Sequence, residues 1–292
     1  MRRLICLATF MFFSMDSSAG TVAQENLTAF LRQQETQLDA RIGMSVVNAS
    51  GKPLVGYRQN ERFPLTSTFK VLACAALLDH MHHHNGSMEE RVTIQPEALL
   101  EYAPVTKNYL APSTITLDEL CAAAVSYSDN TAANLILSRL GGPDAVTRFM
   151  RATGDTVTRL DRNEPTLNEA IPGDKRDTST PEKMASGLYN ILSTPVLAPE
   201  ERRKLDTWMR EDKVADKLLR ASLPQGWDIG DKTGAGGYGS RAIIATVYPK
   251  GQPPFYVAIY ITQTKATMKA SDATIAAIGQ RLFSGPLLQG GK

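Results

Sequence analysis

Phe63-Pro64-Leu65-Thr66-Ser67-Thr68-Phe69-Lys70 opens directly onto Val71-Leu72-Ala73-Cys74-Ala75-Ala76-Leu77-Leu78. The second half is an unbroken apolar run of good helix formers, which predicts a buried helix rather than a strand. Ser67 then falls in the first turn, and Lys70, three residues on, shares its face. A helix N-terminus favours negative charge on that hydroxyl oxygen, and an amine whose pKa is lowered by burial can take its proton. Taken alone, Ser-x-x-Lys also reads as a capping serine beside a solvated lysine, because the pattern is short and both residues are common. Its meaning depends on what the rest of the chain brings to it.

The chain has 292 residues, 42% hydrophobic and 21% charged, enough to bury a large core in one or two globular domains. Lys and Arg number 32 against 30 Asp and Glu, a net +2, too even to point to nucleic acid or an anionic membrane surface. Residues 1–19 read as a secretory signal: Arg2 and Arg3, a mainly apolar run to Met15, then Ser17-Ser18-Ala19, with cleavage after Ala19 or Ala23. The mature chain is expected to be exported and soluble, since that run is short for a membrane span and no later one is long enough. Processing removes Cys6 and leaves Cys74 and Cys121. An even pair in an oxidising compartment predicts a disulfide, the alternative being two free buried thiols on apolar helical stretches.

Upstream, Asn26 is placed to cap a helix carrying Leu27, Phe30, Leu31 and Leu38. Ile42 to Val47 and Leu54 to Tyr57 read as a hairpin. Downstream, the nucleophile helix ends near His84-Asn85-Gly86, where all four histidines crowd: His80, His82, His83 and His84. His80 and His84 have a chelating spacing, but a polar helix terminus explains the cluster and no metal is expected. Thr116-Leu117-Asp118-Glu119 is a capping box. Ser128-Asp129-Asn130 interrupts the apolar pattern that follows as a polar turn between helices, and Gly141-Gly142-Pro143 stops the second of them.

Residues 159–177 show no sustained period and contain Pro165, Pro172 and Gly173, which marks a long ordered loop of the kind that carries function. Glu164 and Asn168 face one point if that segment makes a helical turn, and Arg162 and Asp177 are placed to clamp its ends. Thr180-Pro181 and Pro199 start two more helices.

From Trp227 the period becomes that of strands: Trp227 to Lys232, Ala242 to Tyr248 and Phe255 to Thr262, then a closing helix from Ala270 to Phe283. Gly234-Ala235-Gly236-Gly237-Tyr238-Gly239 precedes a strand, so it is not a dinucleotide loop. Its glycines let a strand backbone approach a ligand. The pattern implies an α/β (α+β) chain. An antiparallel sheet flanked by helices is built from residues 24–60 and 210–292, and an all-α domain, residues 61–209, contains the loop 159–177. Active sites favour such seams.

Ser67-Thr68-Phe69-Lys70, Ser128-Asp129-Asn130 and Lys232-Thr233-Gly234 occur in that order. Together they resemble the Ser-x-x-Lys, Ser-Asp-Asn and Lys-Thr-Gly set of class A β-lactamases and penicillin-binding proteins. Glu164-Pro165-Thr166-Leu167-Asn168 resembles the class A loop that carries the deacylating glutamate. Arg162, Asp177, Cys74, Cys121, Arg241 and Gly141-Gly142 also fall where that family has counterparts. The resemblance spans the mature chain and implies the serine β-lactamase/DD-peptidase-like fold. Phe63 to Lys70 and Gly234 to Gly239 look closest to the carbenicillin-hydrolysing subgroup. There are two departures: Lys232 stands where much of that subgroup has arginine, and Asn163 replaces a bulky aromatic often found before the loop glutamate.

The resemblance implies roles for these residues. Ser67 attacks the strained amide, Lys70, or Glu164 through a water, takes its proton, and the backbone N–H groups of Ser67 and Ala235 form the oxyanion hole. Ser128 gives a proton to the departing nitrogen. Lys232, Thr233 and Arg241, with Gly234 beside them, bind the substrate carboxylate, Asn130 holds the side-chain amide, and Tyr102 and Glu101 line the entrance. Glu164 and Asn168 activate the hydrolytic water, and this pair argues against a DD-peptidase or an acylated receptor. The expected activity is hydrolysis of penicillins and some cephalosporins through a serine acyl-enzyme, giving antibiotic resistance. No cofactor is expected, and the partner is a small-molecule β-lactam, with no nucleic acid and no membrane after signal removal. A periplasmic monomer is expected.

Overall fold

The computed structural model describes residues 15–285 and residue 288, with side chains described from residue 21. The expected export signal, residues 1–19, therefore lies for the most part outside the described residues. No helix among them is long and apolar enough to cross a membrane. In chain order the elements are α1 (Met15–Leu38), β1 (Arg41–Asn48), β2 (Pro53–Tyr57), β3 (Phe63–Pro64), α2 (Phe69–His83), β4 (Arg91–Thr93), β5 (Thr114–Thr116), α3 (Leu117–Ser126) and α4 (Asn130–Leu140). There follow α5 (Asp144–Ala152), β6 (Thr178–Ser179), α6 (Pro181–Ser193), α7 (Pro199–Arg210), β7 (Asp228–Gly236), β8 (Ser240–Tyr248), β9 (Phe255–Thr262) and α8 (Met268–Ser284).

Both chain ends feed one antiparallel sheet of order β2-β1-β9-β8-β7. Successive side chains on a strand point to opposite faces, and here both faces are apolar. Met44, Val46, Ile243, Val257 and Ile259 pack on one side with Leu27 of α1 and Ile275 and Ile278 of α8. Val47, Ala242, Ile244, Ala258 and Tyr260 pack on the other with side chains from α2 to α7. The sheet thus separates two cores, and the helical middle of the chain docks on one of its faces. The mixed α/β class with an antiparallel sheet is the one the strand and helix patterns imply.

Helix α2 runs through the larger core. Every residue from Phe69 to Leu78 is buried, as a helix apolar all round must be. Cys74 and Cys121 form a disulfide that joins α2 to α3. The capping box is present: the Thr116 hydroxyl accepts from Glu119 N, and the Glu119 carboxylate accepts from Thr116 N at 2.8 Å. Gly141 ends α4 with φ of 85°, the left-handed conformation that favours glycine at a helix end.

Two expectations are corrected. Asn26 does not cap a helix, because α1 runs continuously through it and residues 21–25 contain no breaker. Strand β7 does not stop at Lys232. It pairs residue for residue with β8 as far as Gly236 opposite Ser240, so Lys232-Thr233-Gly234 lies within a strand.

Candidate active site

Ser67 sits in a 3-10 turn, Thr66–Thr68, that leads into α2. Thr66 has φ of 45°, a strained conformation for a β-branched residue that packing must hold in place. Strand β7 supplies part of that packing. A Cβ on Gly234 would lie 1.9 Å from Thr66 Oγ1 and 3.0 Å from Ser67 N, so glycine alone lets the strand come this near.

One turn on, the Lys70 side chain is fully buried and its ammonium is the hub of the site. Nζ donates to Ser67 Oγ at 3.1 Å, to Ser128 O at 2.8 Å and to Asn130 Oδ1 at 2.7 Å. It lies 3.4 Å from Ser128 Oγ and 3.1 Å from Glu164 Oε1. Burial pushes the Lys70 pKa down, while Glu164 and then Asp129 oppose that fall. Ser128 reaches Lys70 because its backbone has φ of 61°. Asp129 fixes that turn: it caps α4 through Ala132 N, and accepts from Val105 N, Thr106 N and Thr106 Oγ1.

The loop from 159 to 177 delivers Glu164. Its ends are clasped by Arg162 Nε and Asp177 Oδ2 at 2.6 Å, and Asp177 Oδ1 accepts from the backbone N–H groups of Asp161 and Arg162. Beyond the clasp, β6 pairs with β3, and Leu65 N donates to Asp177 O at 2.8 Å. The end of the loop is therefore tied to the segment that enters the Ser67 turn. Within it, residues 166–169 make a 3-10 turn, so Asn168 Nδ2 donates to Glu164 Oε2 at 2.5 Å. The Gly237 N–H donates to Asn168 O at 2.8 Å and binds the loop to the edge of β7.

Asn134 escaped the sequence reading. Its Nδ2 donates to Glu164 O and its Oδ1 accepts from Glu164 N, both at 2.9 Å. The available signal was its position, one helical turn after Asn130 in an otherwise apolar run.

At the other end of the site, Lys232 of β7 is fully buried. Burial brings its pKa down to about 8, against the pull of Asp212 and Asp231. Asp231 is also fully buried and is held by Arg220 Nε and Nη2 at 2.9–3.2 Å. None of Asp212, Arg220 or Asp231 stood out in the sequence. Arg241 is more committed than expected, with Nε on Asp272 at 2.6 Å and Nη1 on Gly234 O at 3.2 Å.

The predicted residues converge. Ser67, Tyr102, Ser128, Asn130, Asn168, Thr233, Gly234, Ala235 and Arg241 line one cleft of about 430 Å³, with Val214 and Met268 as walls the sequence did not reveal. Lys70, Glu164 and Lys232 are buried. Tyr102 stands at the rim, 48% exposed, while Glu101 is exposed and does not line the cleft. The histidines gather at the far end of α2, where His82 meets Glu201 at 2.9 Å and the rings of His80 and His84 stack.

A serine joined through a buried lysine to a glutamate on a clasped loop, beside a cleft with cations at one end, defines a serine acyl-transfer hydrolase of the class A β-lactamase type. The chain belongs to the β-lactamase enzyme family, whose model matches residues 23–285. Its relatives include the β-lactamase AER-1 of Aeromonas hydrophila, 49% identical over 249 residues, which span 85% of this chain and 82% of that one. Among solved structures, an ancestral (GNCA) class A β-lactamase is 45% identical with a TM-score of 0.85, covering 88% of this chain and 98% of that one. The chromosome-encoded β-lactamase of Vibrio parahaemolyticus is 42% identical with the same TM-score of 0.85, covering 91% and 100%. The chain is a class A β-lactamase.

Proposed function

We propose that this enzyme opens the ring of penicillins, and of some cephalosporins, by acylating and then deacylating Ser67. The observation that carries the reading is that Lys70 Nζ lies 3.1 Å from Ser67 Oγ and 3.1 Å from Glu164 Oε1. The proton of Ser67 passes to this pair as Oγ attacks the carbonyl carbon. The oxyanion forms between the N–H groups of Ser67 and Ala235, where one donor is worth roughly 10²–10³ in rate. The C–N bond then breaks and the nitrogen takes a proton from Ser128, which Lys70 replenishes. Lys232, Thr233 and Arg241 hold the carboxylate. Asn130 holds the side-chain amide, and Tyr102 borders the rim.

Deacylation falls to the loop. Asn168 Oδ1 is buried with no hydrogen-bond partner and Glu164 Oε1 has only its ion pair with Lys70, so a water between them would satisfy both acceptors. Glu164 takes one proton from that water as it attacks the ester carbon, and as the C–Oγ bond breaks Ser67 Oγ receives that proton back through Lys70. No role in this cycle calls for a cofactor or metal.

The glycines from Gly234 to Gly239 support a place beside the carbenicillin-hydrolysing enzymes, although Lys232 is lysine. The signal-like N-terminus supports a periplasmic location without membrane attachment after processing, and the enzyme acts as a monomer. We take the cleft as the seam between an α/β domain, residues 24–60 and 210–292, and a mainly helical domain, residues 61–209, in which β3 to β6 are strands of two or three residues.

The test is a mass-spectrometric time course with a penicillin. Wild type should release product with only a transient adduct, Glu164→Ala should stall as a stoichiometric adduct, and Ser67→Ala should form none. Rapid turnover by Glu164→Ala removes the role given to that residue.

A further inference from the structure

The loop 159–177 presents Glu164 on one side. Other parts of it, with β1 and the residues around β3, enclose a separate cavity of about 30 Å³. Four arginines line it: Arg41 and Arg62 from the sheet side, Arg162 and Arg176 from the loop. Asp174 is the one carboxylate in the lining, and Arg176 Nε and Nη2 together with Arg176 N hold it, keeping its pKa at about 2. Arg41 is matched by Glu61, and Arg162 by Asp177 and Glu169. Arg62 has no such match. It makes no ion pair among the described residues, and the hydrogen bond its guanidinium donates is from Nη1 to Thr178 Oγ1 at 2.9 Å. Burial, and then Arg159 and Arg151, push its pKa down against the pull of Asp155 and Asp161, and neither of those carboxylates reaches ion-pair distance.

A guanidinium has five N–H donors in a planar fork. The bonds above leave Nε and Nη2 of Arg62, Nη1 of Arg41, Nη2 of Arg162 and Nη1 of Arg176 uncommitted. A cavity of this size holds a few atoms, which matches an ion rather than an organic ligand. Residues 171–173, which line it, are exposed.

We propose that this cavity binds a small inorganic oxyanion such as phosphate, which pairs with Arg62 and joins the loop to the sheet through charge-assisted hydrogen bonds. Binding would suppress local opening of residues 170–176 and does not depend on the roles given to Ser67 or Glu164.

The test titrates the full mature protein with inorganic phosphate by calorimetry, with ionic strength matched by sodium chloride. Amide hydrogen exchange is then followed across residues 168–177. A saturable heat is expected, and at ten times the measured Kd exchange through that opening should slow about tenfold. Arg62→Gln should weaken binding at least tenfold. Arg176→Gln, at a side chain 49% exposed, should weaken it as well and serves if the first variant does not fold. Absence of a saturable heat, or protection equal to that in sodium chloride, overturns the proposal. Wild-type affinity in a folded Arg62→Gln variant, or in Arg176→Gln where the first does not fold, overturns it too.

Discussion

Asn134 and Glu164, thirty residues apart, exchange two hydrogen bonds of 2.9 Å, amide to backbone in both directions. Helix α4 thus fixes the backbone of the loop glutamate, while Asn168 and Lys70 fix its carboxylate. Replacing Asn134 by leucine keeps the branching of the side chain and removes both bonds. It leaves a backbone N–H and C=O without partners, at about 1–3 kcal/mol each. If Glu164 serves deacylation, acyl-enzyme should accumulate and kcat should fall by roughly 10²-fold, as a misplacement of about 1 Å would cause. The acylation rate in a stopped-flow burst should change far less. An equal fall in both rates would mean that Asn134 supports the whole site and not the loop alone.

The Arg162–Asp177 clasp closes the same loop at its base. Asp177 is 1% exposed, so removing the arginine leaves a buried carboxylate short of its cation, a loss of about 3–5 kcal/mol. Arg162→Ala should therefore lower stability by that order in urea unfolding, and Arg162→Ala/Asp177→Ala should lose less than the sum of the two single changes. Strict additivity in the cycle would show that the two side chains act independently.

These examples show which parts of the site the sequence made legible. Ser67 with Lys70, and Glu164 with Asn168, are separated by one helical turn, so local periodicity was enough to bring each pair together. The Arg162–Asp177 clasp was readable because it spans a single loop. Asn134 and the Asp212, Arg220 and Asp231 group around Lys232 are different. Asn134 lies one turn from Asn130 and Asp231 adjoins Lys232, but their partners, Glu164 and Arg220, come from separate elements brought close by packing, which local sequence does not mark. The pairing of β3 with β6 is only two residues long, too short for any period to show. Helix α1 extends past Asn26 because a capping residue stops nothing when helix formers continue on both sides.

The disulfide braces the nucleophile helix without touching the reacting groups. Cys74 and Cys121 are 47 residues apart in sequence, and closing such a loop in the unfolded chain is worth about 4 kcal/mol at most. Cys74→Ala/Cys121→Ala should lose about 2–4 kcal/mol in reversible denaturation. Below its melting transition it should keep kcat/KM within about twofold. A large loss of kcat/KM in the folded double variant would mean that the bridge positions Ser67 directly.

Lys232 ties binding to pH. In the folded protein its pKa falls to about 8, below the ordinary lysine value of 10.5. As pH rises through about 8 the ammonium loses its proton, and a substrate carboxylate loses one of its cations. If Lys232 binds that carboxylate, kcat/KM should fall on an alkaline limb near pH 8. Stability has the opposite sign. Between about 8 and 10.5 the unfolded lysine holds more proton than the folded one, so this residue's contribution to stability rises with pH across that window. Below about 8 both states are protonated, and the lysine opposes folding by a constant amount. Lys232→Arg keeps its charge throughout, so it should flatten the alkaline limb in a pH series of kcat/KM and remove the rise in stability. An unchanged limb in Lys232→Arg would assign the titration to another group in the cleft.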